Sequence, residues 1–480
     1  MSRLADAPAP ARTPTFDVLR MPLIGRLLRW RWGRLVFQVA LLAVAALCLY
    51  DGFTGPALSP ANAATVLVWV HSRGLVLLGL LLLGNLFCFA CPFALPRTLA
   101  RRWARPGRRF PRRLRNKWVS LGALFLVFWA YEGLDLWASP WLTAWLIVAY
   151  FAGSFALEAA FSESPFCKYV CPLGAFNFAY STASPLQIRP RDRETCRTCP
   201  GKECVRGGAR ASGCGTELYV PVLQSNLDCV LCLDCARACP YDNVALTVRR
   251  PLEELTRAAW PQRWDAPFLV VALAFFGLVN AFAMTGPVYA LSDGLAQDLG
   301  LRSEAARIGL ILAGGALAPA ALVTFGGAWL SERLTPAASR RGARRIALRY
   351  APAFVPLGLG LYAAHYGFHL ALGGLSIIPV LQTLALDHGL AGLAGAPRWD
   401  LGPMLPMGWI FPLQVSALLA GFAAALYVLA RGGLAAGLEP ADALRQLAPW
   451  AAAIALAAAL GLAVFSLPME ARVAVQALGG

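Results

Sequence analysis

Long apolar runs separated by short basic stretches dominate the chain. Nine segments are apolar enough for the roughly 20-residue helix that crosses hydrocarbon: 35–52, 74–93, 118–137, 141–161, 266–286, 308–330, 351–372, 407–430 and 449–467. Gly and Pro within several of them are compatible with spanning, since both are common in membrane helices. The first run follows Arg34 with no convincing small-residue cleavage site behind it, so it reads as an uncleaved anchor. One hydrophilic stretch, 185–262, interrupts the pattern. The pattern predicts an all-α polytopic membrane protein of about nine spans with an inserted small α+β domain. Its parts are a basic N-terminus (1–34), a four-helix membrane domain (35–184), the insert (185–262) and a five-helix membrane domain (263–480).

Composition sharpens this picture. Of 480 residues 58% are hydrophobic and only 14% charged, with mean hydropathy +0.56, against about 25% charged in soluble domains. The net charge of +17 would suit nucleic acid, but the arginines are placed for a membrane instead. They precede the first span (Arg20, Arg26, Arg29, Arg31, Arg34) and fill the loop after the second (Arg97, Arg101, Arg102, Arg105, Arg108, Arg109, Arg112, Arg113, Arg115, Lys117). They recur after the fourth (Arg189, Arg191, Arg193, Arg249, Arg250) and the sixth (Arg333, Arg340, Arg341, Arg344, Arg345, Arg349). The alternate loops carry few. The positive-inside rule then predicts a bacterial cytoplasmic-membrane protein with the N-terminus and insert cytoplasmic and the C-terminus periplasmic. Lipid is the expected partner of this charge, and no nucleic acid is expected.

Thirteen cysteines complete the reading, eight of them in the insert. Cys229, Cys232, Cys235 and Cys239-Pro240 form the C-x2-C-x2-C-x3-C-P run of bacterial ferredoxins, whose fourth cysteine serves the neighbouring cluster. A zinc ribbon would separate its C-x2-C pairs by a dozen or more residues. A second set precedes the run: Cys196, Cys199, Cys204 and Cys214. Crossed ligation predicts two [4Fe-4S] clusters, one on Cys196, Cys199, Cys204 and Cys239, the other on Cys214, Cys229, Cys232 and Cys235. The first set is irregular, with Gly215 where a proline would follow Cys214. Lys202, Arg206 and Arg210 are expected to offset cluster charge and raise the potential.

Two further pairs, Cys88-x2-Cys91-Pro92 and Cys167-x3-Cys171-Pro172, fall at the predicted cytoplasmic ends of spans two and four. Each spacing puts two thiols on one face of a helical turn. Three readings stand: a third metal centre, redox-active dithiols, or reduced structural thiols. Cys48, inside the first span, reads as packing.

A basic N-terminus, a span ending in GNLFCFACPF, a second ending in FCKYVCPLGAF and the double ferredoxin motif together resemble the NapH/NosR-type membrane iron–sulfur proteins. That group includes quinol dehydrogenase membrane components and the oxidase-assembly protein CcoG. The resemblance covers roughly residues 30–250 and implies electron exchange between the quinone/quinol pool, the clusters and a protein redox partner such as a ferredoxin, cytochrome or reductase. The five C-terminal spans have no counterpart in the short quinol dehydrogenase members.

The four histidines, His71, His365, His369 and His388, fall at the predicted outer ends of spans or in outer loops. His365 and His369 share a helix face by their i, i+4 spacing, and intramembrane ionisable residues are functional candidates. Two rings on one face cannot flank a haem, so a haem would need a ligand from another helix, for which His71 is one candidate. Alternatively, His71 and Arg73 form a quinone site, or each ring simply hydrogen-bonds a carbonyl. Glu132, Asp135, Glu158 and Glu163 read as interhelical partners or a proton path. The expected function is membrane-bound electron transfer as a component of a quinol dehydrogenase system. The alternatives are a copper reductase or metal-handling protein supporting oxidase assembly, and an iron–sulfur redox sensor.

Overall fold

The computed structural model describes residues 16–97, 100, 108–161, 164–257, 260–390, 392 and 395–472; Arg101, Arg102, Arg105 and Glu163 lie outside them. The described chain is mostly helical, with one two-stranded sheet. Among the described residues eight helices are long and apolar enough to cross a membrane: Gly33–Thr54, Ala63–Leu83, Pro140–Ala160, Asp265–Phe282, Glu304–Leu334, Ala343–Gly373, Met407–Leu434 and Pro440–Phe465. They support a multi-pass membrane protein. The third expected span is a shorter apolar helix of 16 residues, Trp118–Gly133.

The second span departs from expectation. It was placed at 74–93 by hydropathy, but the helix runs Ala63–Leu83 and stops before Gly84, whose φ of +77° ends it in a left-handed turn. A short separate turn, Leu86–Ala90, follows. Apolar residues continue through Phe93, which hides the break from a hydropathy profile. Consequently His71 and Arg73 lie inside the span, not in an outer loop or at its margin, and Cys88 lies beyond it.

The chain forms two compact units. The first comprises Met1–Ala43, Gly79–Ser120 and Phe151–Trp260; the second comprises Val44–Leu78, Leu121–Tyr150 and Pro261–Gly480. In the first, strands β1 (Leu186–Pro190) and β2 (Val244–Val248) pair antiparallel, from Leu186 opposite Val248 to Pro190 opposite Val244. They clamp the two ends of the cysteine-rich segment. Their apolar faces join Leu19, Phe89, Val220, Leu231 and Leu233 in one core.

In the second unit Asp265–Phe282 and Ala343–Gly373 form the interior, with about nine-tenths of their apolar windows buried, whereas only about a third of the windows of Met407–Leu434 and Pro440–Phe465 is buried. Gly360 and Gly421 let Phe354–Gly373 approach Met407–Leu434 closely: a Cβ at either would stand 2.7 Å from a carbonyl oxygen of the other helix. Small residues at such crossings are how membrane helices gain packing.

Candidate metal centres

Four helical turns of the first unit end alike. Leu86–Ala90, Phe166–Val170, Arg193–Thr198 and Asp234–Ala238 terminate at Cys91, Cys171, Cys199 and Cys239, all with φ between −58° and −69° and ψ between 113° and 120°. A proline follows each one. Proline excludes the helical conformation from the residue before it, so each turn stops at a cysteine.

The turns bring the cysteines around three cavities. Cys196, Cys199, Cys204 and Cys239 line one of about 340 Å³. A second, of about 350 Å³, is lined by Cys214, Cys229, Cys232 and Cys235. Cys88, Cys91, Cys167 and Cys171 line the third, about 420 Å³. Val220 borders both the first and second cavities, and Val230 both the second and third. The three therefore lie in series. Among the described residues no three His, Cys, Asp or Glu side chains gather tightly enough to hold a single ion.

Amide groups are aimed at the sulfurs. Asn177 Nδ2 donates to Cys88 Sγ at 3.3 Å and Gly174 N to Cys171 Sγ at 3.2 Å. Asn243 donates twice, from Nδ2 to Cys196 Sγ at 3.2 Å and from its backbone to Cys239 Sγ at 3.4 Å. Leu218 N donates to Cys214 Sγ at 3.3 Å. Position 174 must be glycine, because a Cβ would stand 2.7 Å from the Cys167 carbonyl oxygen. Gly213 is equally constrained, its missing Cβ falling 2.0 Å from the Val205 carbonyl oxygen. At Gly215 the Arg97 guanidinium occupies the space a side chain would take. Asp228, Leu231 and Leu233, interleaved with Cys229 and Cys232, take φ of +70°, +54° and +61°. Such backbone costs about 1–3 kcal/mol per residue and clusters at binding sites.

Charge around the cavities includes cations beyond those the sequence singled out. Arg206 and Arg210 are exposed, and of the three predicted cations only Lys202 lines a cavity. Other cations are buried or half-buried. Lys117, 1% exposed, pairs with Asp228 and donates to the Lys168 carbonyl at 2.6 Å. Lys168, between the third cavity's Cys167 and Cys171, donates to the Thr216 carbonyl at 2.6 Å. Arg237 donates to the Cys232 carbonyl at 2.5 Å and to Asp234 at 2.7 Å. Glu158 pairs with Arg97 at 3.3 Å. Burial pushes the Cys196 thiol up to about 11 and Cys229 to about 12, and neighbouring cysteines add to both. Coordination to a cation reverses that penalty.

The second unit holds the histidines. His71 lies in a π-helical turn, Val66–His71, with Nδ1 3.1 Å from the Val66 carbonyl and Nε2 2.8 Å from that of Gly374. Both nitrogens thus face backbone carbonyls, only one of which a neutral ring can donate to, and neither meets the other pair. Arg73 stacks on Trp69, Tyr131 and Tyr366 at 4.7, 4.1 and 5.1 Å, and its Nη1 has no hydrogen-bond partner among the described residues. Glu132 accepts from Arg472 at 2.7 Å and Asn280 at 3.2 Å. His388 is exposed, 2.5 Å from the Tyr50 hydroxyl. Cys48 is buried against the Ala63 carbonyl. His365 and His369 do come together: their Nε2 atoms are 3.2 Å apart.

Sequence reading missed Asn177, Asn243, Lys117 and Met284. Two asparagines shortly after Cys171-Pro172 and Cys239-Pro240 are the available signal; Lys117 and Met284, far in sequence from the residues they meet, carry none.

No known family profile matches the chain, and no solved structure does. It is similar to an Escherichia coli (strain K12) protein named, provisionally, as the electron transport protein YccM: 26% identity over 136 residues, which is 28% of this chain and 35% of that protein. The match thus spans about a third of the relative's length.

Proposed function

We propose that the chain is a membrane electron carrier of the NapH/NosR type that moves electrons through three [4Fe-4S] clusters in series. Cys196, Cys199, Cys204 and Cys239 hold the outermost in this reading, Cys214, Cys229, Cys232 and Cys235 the middle one, and Cys88, Cys91, Cys167 and Cys171 the third. The observation that carries it is the row of three four-thiol cavities with one valine bordering each adjacent pair. The relative's electron-transport name agrees with it.

When bound, such clusters each take up and release one electron. The chain does the rest. Its thiols set the order of the centres, and Val220 and Val230 keep the intervening space apolar. Amide donors from Asn177, Gly174, Asn243 and Leu218 favour the more negative, reduced state, which raises the potential. The buried Lys117–Asp228 pair and Arg237 hold the Cys229–Cys235 loop. In this reading residues 185–262 form the ferredoxin-like insert, on the cytoplasmic side of a bacterial inner membrane, and quinol is the electron donor to be tested.

The test is anaerobic reduction in proteoliposomes. Added quinol should bleach the cluster absorbance to a large fraction of the change that dithionite produces. Full reduction by dithionite with none by quinol would remove the quinol link and leave the carrier without its proposed donor.

A further inference from the structure

Two imidazoles and a thioether converge in the interior of the second unit. His365 Nε2 and His369 Nε2 lie 3.2 and 3.1 Å from Met284 Sδ and 3.2 Å from each other. All three residues are buried, Met284 and His365 completely. From this triangle we propose a site for one soft, singly charged metal ion, Cu(I), coordinated by His365, His369 and Met284.

Donor geometry makes the case. Three lone-pair donors at near-equal separation define a single point, and an ion bonded to all three at roughly 2.0–2.3 Å, as nitrogen and sulfur ligands require, stands just outside their plane. Without an ion the cluster is poorly satisfied. The two facing nitrogens can share one proton, which leaves the thioether only a weak acceptor's role. The His365 Nδ1 already has no hydrogen-bond partner among the described residues.

The surroundings fix the ligands. His365 and His369 project from successive turns of Phe354–Gly373. Met284 follows the Asp265–Phe282 helix, and backbone contacts hold it on both sides. Glu470 N donates to the Met284 carbonyl at 2.9 Å, and Arg472 Nη2 to the Ala283 carbonyl at 2.9 Å. Arg472 is itself neutralised by Glu132 at 2.7 Å and Glu470 at 3.1 Å.

Ligand type and charge select the ion. Thioethers favour Cu(I) over harder ions, and imidazole accepts it too. Arg73, whose neighbours here are aromatic rings, stacks on Tyr366, the residue after His365. A fixed cation in a buried region opposes a divalent ion more than a monovalent one. The site contains no cysteine and is independent of the proposed clusters.

The experiment uses the full chain, purified anaerobically in detergent with its iron content measured. Cu(I) is titrated against a chromophoric Cu(I) chelator, and wild type is compared with Met284→Leu and with His365→Ala/His369→Ala. Wild type should bind one equivalent more than the double variant, Met284→Leu should bind that equivalent at least tenfold more weakly, and iron per chain should be the same in all three. X-ray absorption of the Cu(I)-loaded wild type should show two nitrogen scatterers and one sulfur. Equal copper in wild type and double variant overturns the proposal. So does wild-type copper whose ligands are sulfur alone, and this spectroscopic arm decides the matter even where a variant fails to fold. Wild type that binds this equivalent yet carries no iron would count against the electron-carrier reading alone.

Discussion

In the first unit twelve thiols line the walls of three cavities, whereas in the second two imidazoles and a thioether meet at one point. The backbone differs to match. The cysteine loops are short turns stopped by prolines, with left-handed residues at Asp228, Leu231 and Leu233 and amide groups directed at sulfur. The histidine site sits on regular helix, where an i, i+4 pair needs no unusual conformation. A many-atom, negatively charged guest requires a chain that wraps it and donates hydrogen bonds. A single soft cation needs only donors that converge. The spacing of the donor atoms, more than their number, separates the two.

The comparison breaks most visibly at the cysteines. Cys88→Ala/Cys171→Ala should remove one whole centre, taking iron from about twelve to about eight per chain at four per cluster. His365→Ala/His369→Ala should leave iron untouched. Loss of iron from the histidine variant, or none from the cysteine variant, would erase the distinction. Next in size is Lys117→Met, which strands Asp228 in the first unit's interior. Breaking a buried pair in this way costs about 3–5 kcal/mol. Thermal unfolding should begin earlier, and adding Asp228→Asn should restore much of the loss; an unchanged melting profile would contradict the role given to this pair. The smallest effect is on potential. Asn177→Leu removes a donor to Cys88 Sγ and should lower the potential of that one centre by roughly 50 mV, near the 59 mV of a tenfold one-electron change, as read by EPR-monitored titration. A shift in all centres, or a rise, would contradict the assignment.

The grouping of the thiols was legible in the sequence because ligand spacing is local. C-x2-C-x2-C-x3-C-P implies which three cysteines face together and which one turns away, and the structure gathers the same fours around its cavities. Cys214 was harder to place, since its position depends on Gly213 passing the Val205 carbonyl and on Arg97, far away in the chain, packing over Gly215. Hydropathy revealed the membrane helices but misplaced the second, because it is blind to the left-handed turn at Gly84 within an unbroken apolar run. Charge was legible only in part. Arg206 and Arg210 are near Cys204 in sequence yet exposed, while Lys117, dozens of residues from any cysteine of the insert, is buried against Asp228. Met284 could not be linked to His365 and His369, because helix packing alone brings it there.

The central claim is that the twelve thiols hold iron–sulfur clusters. Anaerobic purification of the full chain, with quantification of iron and acid-labile sulfide and EPR of the reduced protein, tests it most directly. About twelve iron and twelve sulfide per chain, with signals of interacting reduced [4Fe-4S] clusters, is the predicted result. Zinc in place of iron, with no acid-labile sulfide, would contradict it.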